Sequence, residues 1–208
     1  MPSPFDQSAY QVRMEWGVDG VARLARSDVV VVVDVLLCSS TVTAAAERGE
    51  TVALDAAAGA SSIDGAAVAK AAAAAPALVL LGGIVNASAV ARAVLAEQVR
   101  RGARTSVAVI AAGEGAPASP RFAVEDLLGA GAVVAALGDL GIDHCSPEAA
   151  AAGESFRALR GAVRHLMSAS GSGRELAERG LAAEVASAAS LDASAAVPVL
   201  RDGFFRAL

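Results

Sequence analysis

Short apolar runs along the chain alternate with alanine-rich amphipathic stretches, and that alternation predicts most of the elements. The clearest run is 28–36, Asp-Val-Val-Val-Val-Val-Asp-Val-Leu. A continuous β-branched run without period-two alternation predicts a strand buried on both faces, as in the middle of an α/β sheet. The hydroxyl cluster Ser39, Ser40 and Thr41 then suits a helix start, and Gly49 a helix stop, so 28–49 reads as strand, tight turn and helix. A short strand follows at 51–54. Within the alanine- and glycine-rich stretch 55–76, one short helix is predicted, at about 66–75. Residues 77–81 form another buried strand, ended by Gly82-Gly83. Asn86 caps a helix that runs to Arg101 and stops at Gly102. Residues 106–110 form a strand that opens into a loop at 113–120, and 124–137 form a helix. From Pro147 the pattern is helical: one helix over 147–167, a flexible break at 168–173, then short helices at 173–179 and 181–189. Residues 197–200 read as a final short strand. Strand and helix alternating over 28–137 predict a layered α/β/α fold with a largely parallel or mixed sheet. The expected organisation is a single compact unit over 1–208, helical in its C-terminal third.

Composition narrows the class. The chain is 55% hydrophobic, 3% aromatic and 19% charged, with a net charge of −5. Alanine supplies about a quarter of the chain, far above ordinary usage, and Lys70 is the only lysine. The regular apolar runs exclude a disordered chain. The apolar run 29–33 is bracketed by Asp28 and Asp34, and the alanine tract 71–75 is cut by Pro76, well short of the ~20 residues of a membrane helix. The opening Met1-Pro2-Ser3-Pro4 has no basic stretch leading into an apolar one, so no secretory leader is expected. Cys38 and Cys145 fit neither a disulfide framework nor a common zinc spacing. With no Lys/Arg-rich block, nucleic acid is not an expected partner. The expectation is a cytoplasmic protein acting on a small molecule, with a homo-oligomer compatible with so much small apolar surface.

Ligands of open α/β sheets lie beyond the carboxyl ends of the strands. The predicted strands deliver there Asp34 with Ser39, Ser40, Thr41 and Thr43, then Gly82-Gly83 with Asn86, then Glu114, with Glu125 and Asp126 on the next helix. Carboxylates from separate segments suit Mg²⁺, which takes oxygen ligands and often a substrate phosphate. Hydroxyls beside helix N–H groups suit an anion. Each also has a structural reading. Asp34 suits a polar strand end, the hydroxyls helix capping, and Glu125 and Asp126 a first turn favoured by the helix dipole. Other chemistries fail on residue type. Leu36 stands where a haloacid-dehalogenase pattern needs a second Asp. Pro117 and Pro120 spoil a dinucleotide fingerprint at Gly113, and Ala44 stands where a cysteine-phosphatase loop needs Arg. His144 and His165 have no acidic partner at a ligand spacing.

Several stretches together resemble the 2-phosphosulfolactate phosphatase (ComB-like) family. They are Asp34-Val35-Leu36 with Ser39-Ser40-Thr41-Val42-Thr43-Ala44-Ala45, Asn86-Ala87-Ser88-Ala89-Val90-Ala91, Glu125-Asp126-Leu127-Leu128-Gly129-Ala130-Gly131-Ala132, and a tail. The tail comprises Gly173-Arg174-Glu175-Leu176, Gly180 and Val197-Pro198-Val199-Leu200-Arg201-Asp202-Gly203. The resemblance implies a Mg²⁺-dependent phosphatase acting on a phosphate ester of a small sulfonated or carboxylated acid, on the route to coenzyme M. It implies Asp34, Glu125 and Asp126 as catalytic and metal-binding residues, and Ser39, Ser40, Thr41, Asn86 and Glu114 as substrate-binding ones. Two departures stand out. Leu37 occupies the place of the family's usual arginine, and 55–76 holds only Asp55, Asp64 and Lys70 as charges where the family carries a polar block. Two outcomes follow: a diverged phosphatase with another substrate, or a non-catalytic protein that keeps the fold and binds a small anion.

Overall fold

A computed structural model of the chain describes residues 3–60, 63–115 and 121–208. In chain order its elements are β1 (Val12–Trp16), α1 (Gly17–Arg23), β2 (Val29–Val33), α2 (Ser40–Glu47), β3 (Val52–Ala53), α3 (Leu54–Ala60), α4 (Ile63–Ala72), β4 (Leu78–Gly82) and α5 (Ala87–Arg101). They continue with β5 (Val107–Ala111), α6 (Val124–Asp139), α7 (Pro147–Leu159), α8 (Val163–Ala169), α9 (Gly171–Glu178), α10 (Ala182–Ala188), β6 (Pro198–Arg201) and β7 (Phe204–Ala207). The strands form one sheet in the order β1-β5-β2-β4-β6-β7-β3. The first four are mutually parallel, and β6, β7 and β3 join antiparallel at one side. The α/β layered reading is borne out.

The valine run behaves as its pattern predicts. Between β5 and β4, Val29, Val31 and Val33 enter one core with Val90, Val94, Leu128 and Val133. Val30 and Val32 enter the opposite core with Val68, Ala69, Leu81 and Phe205. Small residues set how closely α6 packs. A Cβ on Gly129 would lie within 2.9 Å of Val33 Cγ1, and one on Gly131 would overlap the Ala152 carbonyl of α7. That close seating brings the first turn of α6 to the ends of β2 and β5. Among the described residues, no helix is long and apolar enough to cross a membrane.

Several expectations are corrected. The 28–36 strand ends at Val33, because Val35–Ser39 forms a π-helical turn closed by the Ser39 N–H donating to the Asp34 carbonyl at 2.8 Å. Strand β1 and helix α1 were not foreseen. Arg13 disguised the strand: it is buried, and its guanidinium donates to the carbonyls of Ser8, Tyr10, Ala25 and Arg26. Two helices, α3 and α4, replace the one expected in 55–76. The 147–167 helix is broken by a 3-10 turn at Arg160–Ala162. The expected flexible break at 168–173 shrinks to Ser170, whose Oγ caps α9 by accepting from the Gly173 N–H at 3.0 Å. The 197–200 strand is not the last. Asp202 and Gly203, both at positive φ (52° and 78°), turn the chain into β7, the Asp-Gly signature of a two-residue hairpin. Of the expected 113–120 loop, residues 116–120 lie outside the described residues.

Candidate functional site

The site is assembled from backbone turns at the carboxyl ends of β2, β4 and β5. Asp34 leaves β2 into the π-helical turn and is buried, its Oδ2 accepting from the Gly65 N–H of α4 at 3.1 Å. Gly65 is required for that approach, since a Cβ there would sit 2.5 Å from Asp34 Oδ2. Asp126, in the first turn of α6, is also buried and clamps two strand ends together. Its Oδ1 accepts from the Val35 N–H at 2.8 Å and its Oδ2 from the Gly113 N–H at 2.9 Å. Burial, then the charge of Asp34, pushes the Asp126 carboxyl well above the usual range, against the pull of those two N–H groups.

Glu125 is buried too, but it faces another way. The Ser172 hydroxyl of α9 meets Glu125 Oε1 and also Glu114 Oε1, the latter at 3.1 Å. The hydroxyl thus bridges the two carboxylates, its one hydrogen able to serve one of them at a time. Glu114 pairs with Arg121 twice over: their backbones exchange hydrogen bonds at 3.0 and 2.6 Å, and Arg121 Nη2 meets Glu114 Oε2. The acidic groups therefore form two neighbouring sets, Asp34 with Asp126 and Glu114 with Glu125, joined where Glu125 and Asp126 are consecutive.

The hydroxyl and amide candidates are engaged with the protein itself. Ser39 Oγ accepts from the Asp34 N–H at 3.0 Å, and it does not cap α2. Ser40 is half-buried and Thr41 exposed. Asn86 is buried and precedes α5 without capping it by its side chain. Its Oδ1 accepts from the Gly83 N–H at 3.0 Å, and its Nδ2 donates to the Ala196 carbonyl at 3.0 Å and reaches the Leu81 carbonyl and Thr43 Oγ1. The Leu37 side chain lies outside the described residues. Cys38 is buried beside the two aspartates. Burial first, then the Asp34 and Asp126 charges, push its thiol far up, which keeps it protonated and rules it out as a thiolate nucleophile.

Among the described residues, no three His, Cys, Asp or Glu side chains gather into a group able to hold a metal. Mg²⁺ needs only one or two carboxylates where a substrate phosphate supplies other ligands, and Asp34 and Asp126 meet that number. Ser172, Arg121 and Gly65 were not anticipated. Ser172 sits in a Ser-Gly-Ser-Gly stretch that reads as a flexible break, and its partners lie 47 and 58 residues away in sequence.

Open, largely parallel α/β sheets bind ligands beyond the carboxyl ends of their strands, and here buried carboxylates gather at that edge. The family model for 2-phosphosulpholactate phosphatase matches residues 55–203, more than two thirds of the chain. The chain belongs to the 2-phosphosulpholactate phosphatase family. The matched span takes in Asn86, Glu114, Glu125 and Asp126 and begins after Asp34 and its hydroxyl turn. A comparison with curated proteins finds no match to this chain.

Proposed function

We propose that the chain hydrolyses a small phosphate ester at the carboxyl edge of its parallel strands. The observation that carries this reading is the side-by-side burial of Asp34 and Asp126 where open α/β sheets bind ligands. Two buried like charges are costly unless a proton or cation joins them, and a phosphate reaches an acidic edge only with such compensation. A divalent cation there would be held by Asp34 and Asp126, and when bound it supplies the positive charge that offsets the phosphoryl oxygens and activates water. The chain's own groups supply the rest. Asp126 keeps the β2 and β5 ends at fixed separation through its two N–H acceptances. Ser172 Oγ bridges Glu125 and Glu114 and keeps those two carboxylates together beside the Asp34–Asp126 pair. The family description names 2-phosphosulfolactate, and the substrate class proposed is a phosphate ester of a small acid.

A second reading is a protein that keeps the fold and binds an anion without turnover; Ser39 and Asn86, whose polar atoms are already spent on protein partners, are lost as substrate groups to either reading. The deciding experiment is hydrolysis of a panel of small phosphate esters with and without added Mg²⁺, by wild type and Asp34→Asn. Turnover lost in Asp34→Asn supports the phosphatase. Turnover unchanged in that variant overturns it, and stabilisation by phosphates without turnover favours the second reading.

A further inference from the structure

We propose that Arg121 is the residue that holds the substrate's anionic group, a role resting on the phosphatase reading above. The argument begins with charge. Asp34, Glu114, Glu125 and Asp126 make the strand-end edge acidic, and a phosphate approaching it needs a fixed cation to offset them. Arg121 is a basic side chain built into that edge. Its Nη2 is ion-paired with Glu114 Oε2, while 64% of the side chain remains exposed, so the guanidinium is reachable by a ligand from solvent.

Its surroundings set its position. The paired backbone hydrogen bonds between Glu114 and Arg121 set the base of the side chain. Glu114 is in turn tied through Ser172 to Glu125, the neighbour of Asp126, so the guanidinium is coupled to the carboxylates by a continuous set of contacts. Gly171, the first residue of α9, lies beside the guanidinium, an added Cβ there falling 3.3 Å from Arg121 Nη2. A planar guanidinium held at one edge presents parallel N–H donors that match two oxygens of a phosphate or carboxylate, which an ammonium cannot do. An exposed ion pair contributes little to stability, so the Glu114–Arg121 pair is better accounted for as positioning than as a structural staple.

The test uses orthophosphate, the product of any phosphomonoester hydrolysis, as the probe. Its binding is titrated calorimetrically at constant ionic strength, alongside steady-state kinetics on whichever ester the wild type turns over. Arg121→Ala weakens orthophosphate by about tenfold or more, the loss expected for a charge-assisted fork, and raises KM more than it lowers kcat. Arg121→Lys keeps the charge without the fork and does not restore binding. Added methylguanidinium partly restores Arg121→Ala and leaves wild type unaffected, a rescue that a merely structural arginine would not give. Orthophosphate bound equally well by wild type and Arg121→Ala overturns the role of Arg121 and leaves the phosphatase reading standing. A wild type that neither binds orthophosphate nor hydrolyses any ester overturns that reading, and the role of Arg121 with it.

Discussion

Replacing Asp126 by asparagine separates its work as a clamp from its charge. The amide oxygen keeps one of the two N–H groups, but the NH₂ group then faces the other donor, leaving the Val35 or the Gly113 N–H buried without an acceptor. An orphaned buried donor costs about 1–3 kcal/mol. Removing a charge beside Asp34 works in the opposite direction. That relief is the smaller effect, because the raised pKa of Asp126 lets the wild type shed part of the repulsion by taking up a proton. The net expectation is a loss of stability, read as a lower urea midpoint at neutral pH. With a slope of about 1–3 kcal/mol per molar urea, the fall is of the order of 1 M. Asp126→Ala orphans both N–H groups and loses more. A midpoint in Asp126→Asn equal to or above that of wild type would refute the clamp and leave charge as the dominant property of Asp126.

Two further outcomes follow from named contacts. Asp28 accepts from the N–H and the hydroxyl of Ser106, each at 2.8 Å, and pairs with Arg101. Burial alone would raise its pKa, but these partners outweigh burial and hold it below the usual range. A depressed folded pKa gives stability that is complete above the unfolded value of about 3.9 and is lost as pH falls through the folded one. The difference in unfolding free energy between wild type and Asp28→Asn should therefore be flat at neutral pH and narrow below about pH 4, and a gap constant through the acid range counts against this account. Gly131→Ala sets a methyl group on the Ala152 carbonyl. Separating α6 from α7 should cost about 1–3 kcal/mol, seen as a lower Tm by calorimetry, and an unchanged Tm would mean that the two helices have slack.

What was legible in the chain follows from which signals are local. Strands β2, β4 and β5 are buried on both faces, so each is a bare apolar run that no other element mimics. Strand β1 was hidden because the partners that satisfy Arg13 come from other segments, its carbonyls at 25 and 26 among them. The Asp-Gly turn between β6 and β7 is a local signal, carried by Asp202 and Gly203 alone. At the site, Asp34, Glu114, Glu125 and Asp126 were placed on the strand-end edge by periodicity alone. Their partition was not readable. A predicted helix already turns Glu125 and Asp126 about 100° apart, but it does not show that Ser172, at the start of α9, meets Glu125. The hydroxyls of Ser39 and the amide of Asn86 were read as ligand groups because a sequence displays polar atoms without showing what already occupies them.

The alanine-rich stretch 55–76 looked like a loss of ligands, but in the fold it places a main-chain donor against Asp34. The Gly65 N–H points at Asp34 Oδ2, and Ala57, Val68, Ala69 and Ala72 bury that segment against the sheet. Smallness is required locally, since a Cβ at 65 would come within 2.5 Å of Asp34 Oδ2, 2.8 Å of its Cβ and 3.0 Å of Cys38 Cβ. In an ordinary helix interior, Gly→Ala adds up to about 1 kcal/mol of stability. Gly65→Ala should do the reverse, because Asp34 must leave its N–H partner or α4 must move off the β2 turn. Two measurements separate these responses. On the phosphatase reading, displacement of Asp34 removes ester hydrolysis with a nearly unchanged urea midpoint, whereas displacement of α4 lowers the midpoint as well. A variant more stable than wild type, with hydrolysis intact, would show that Gly65 is ordinary helical glycine and that Asp34 does not depend on it.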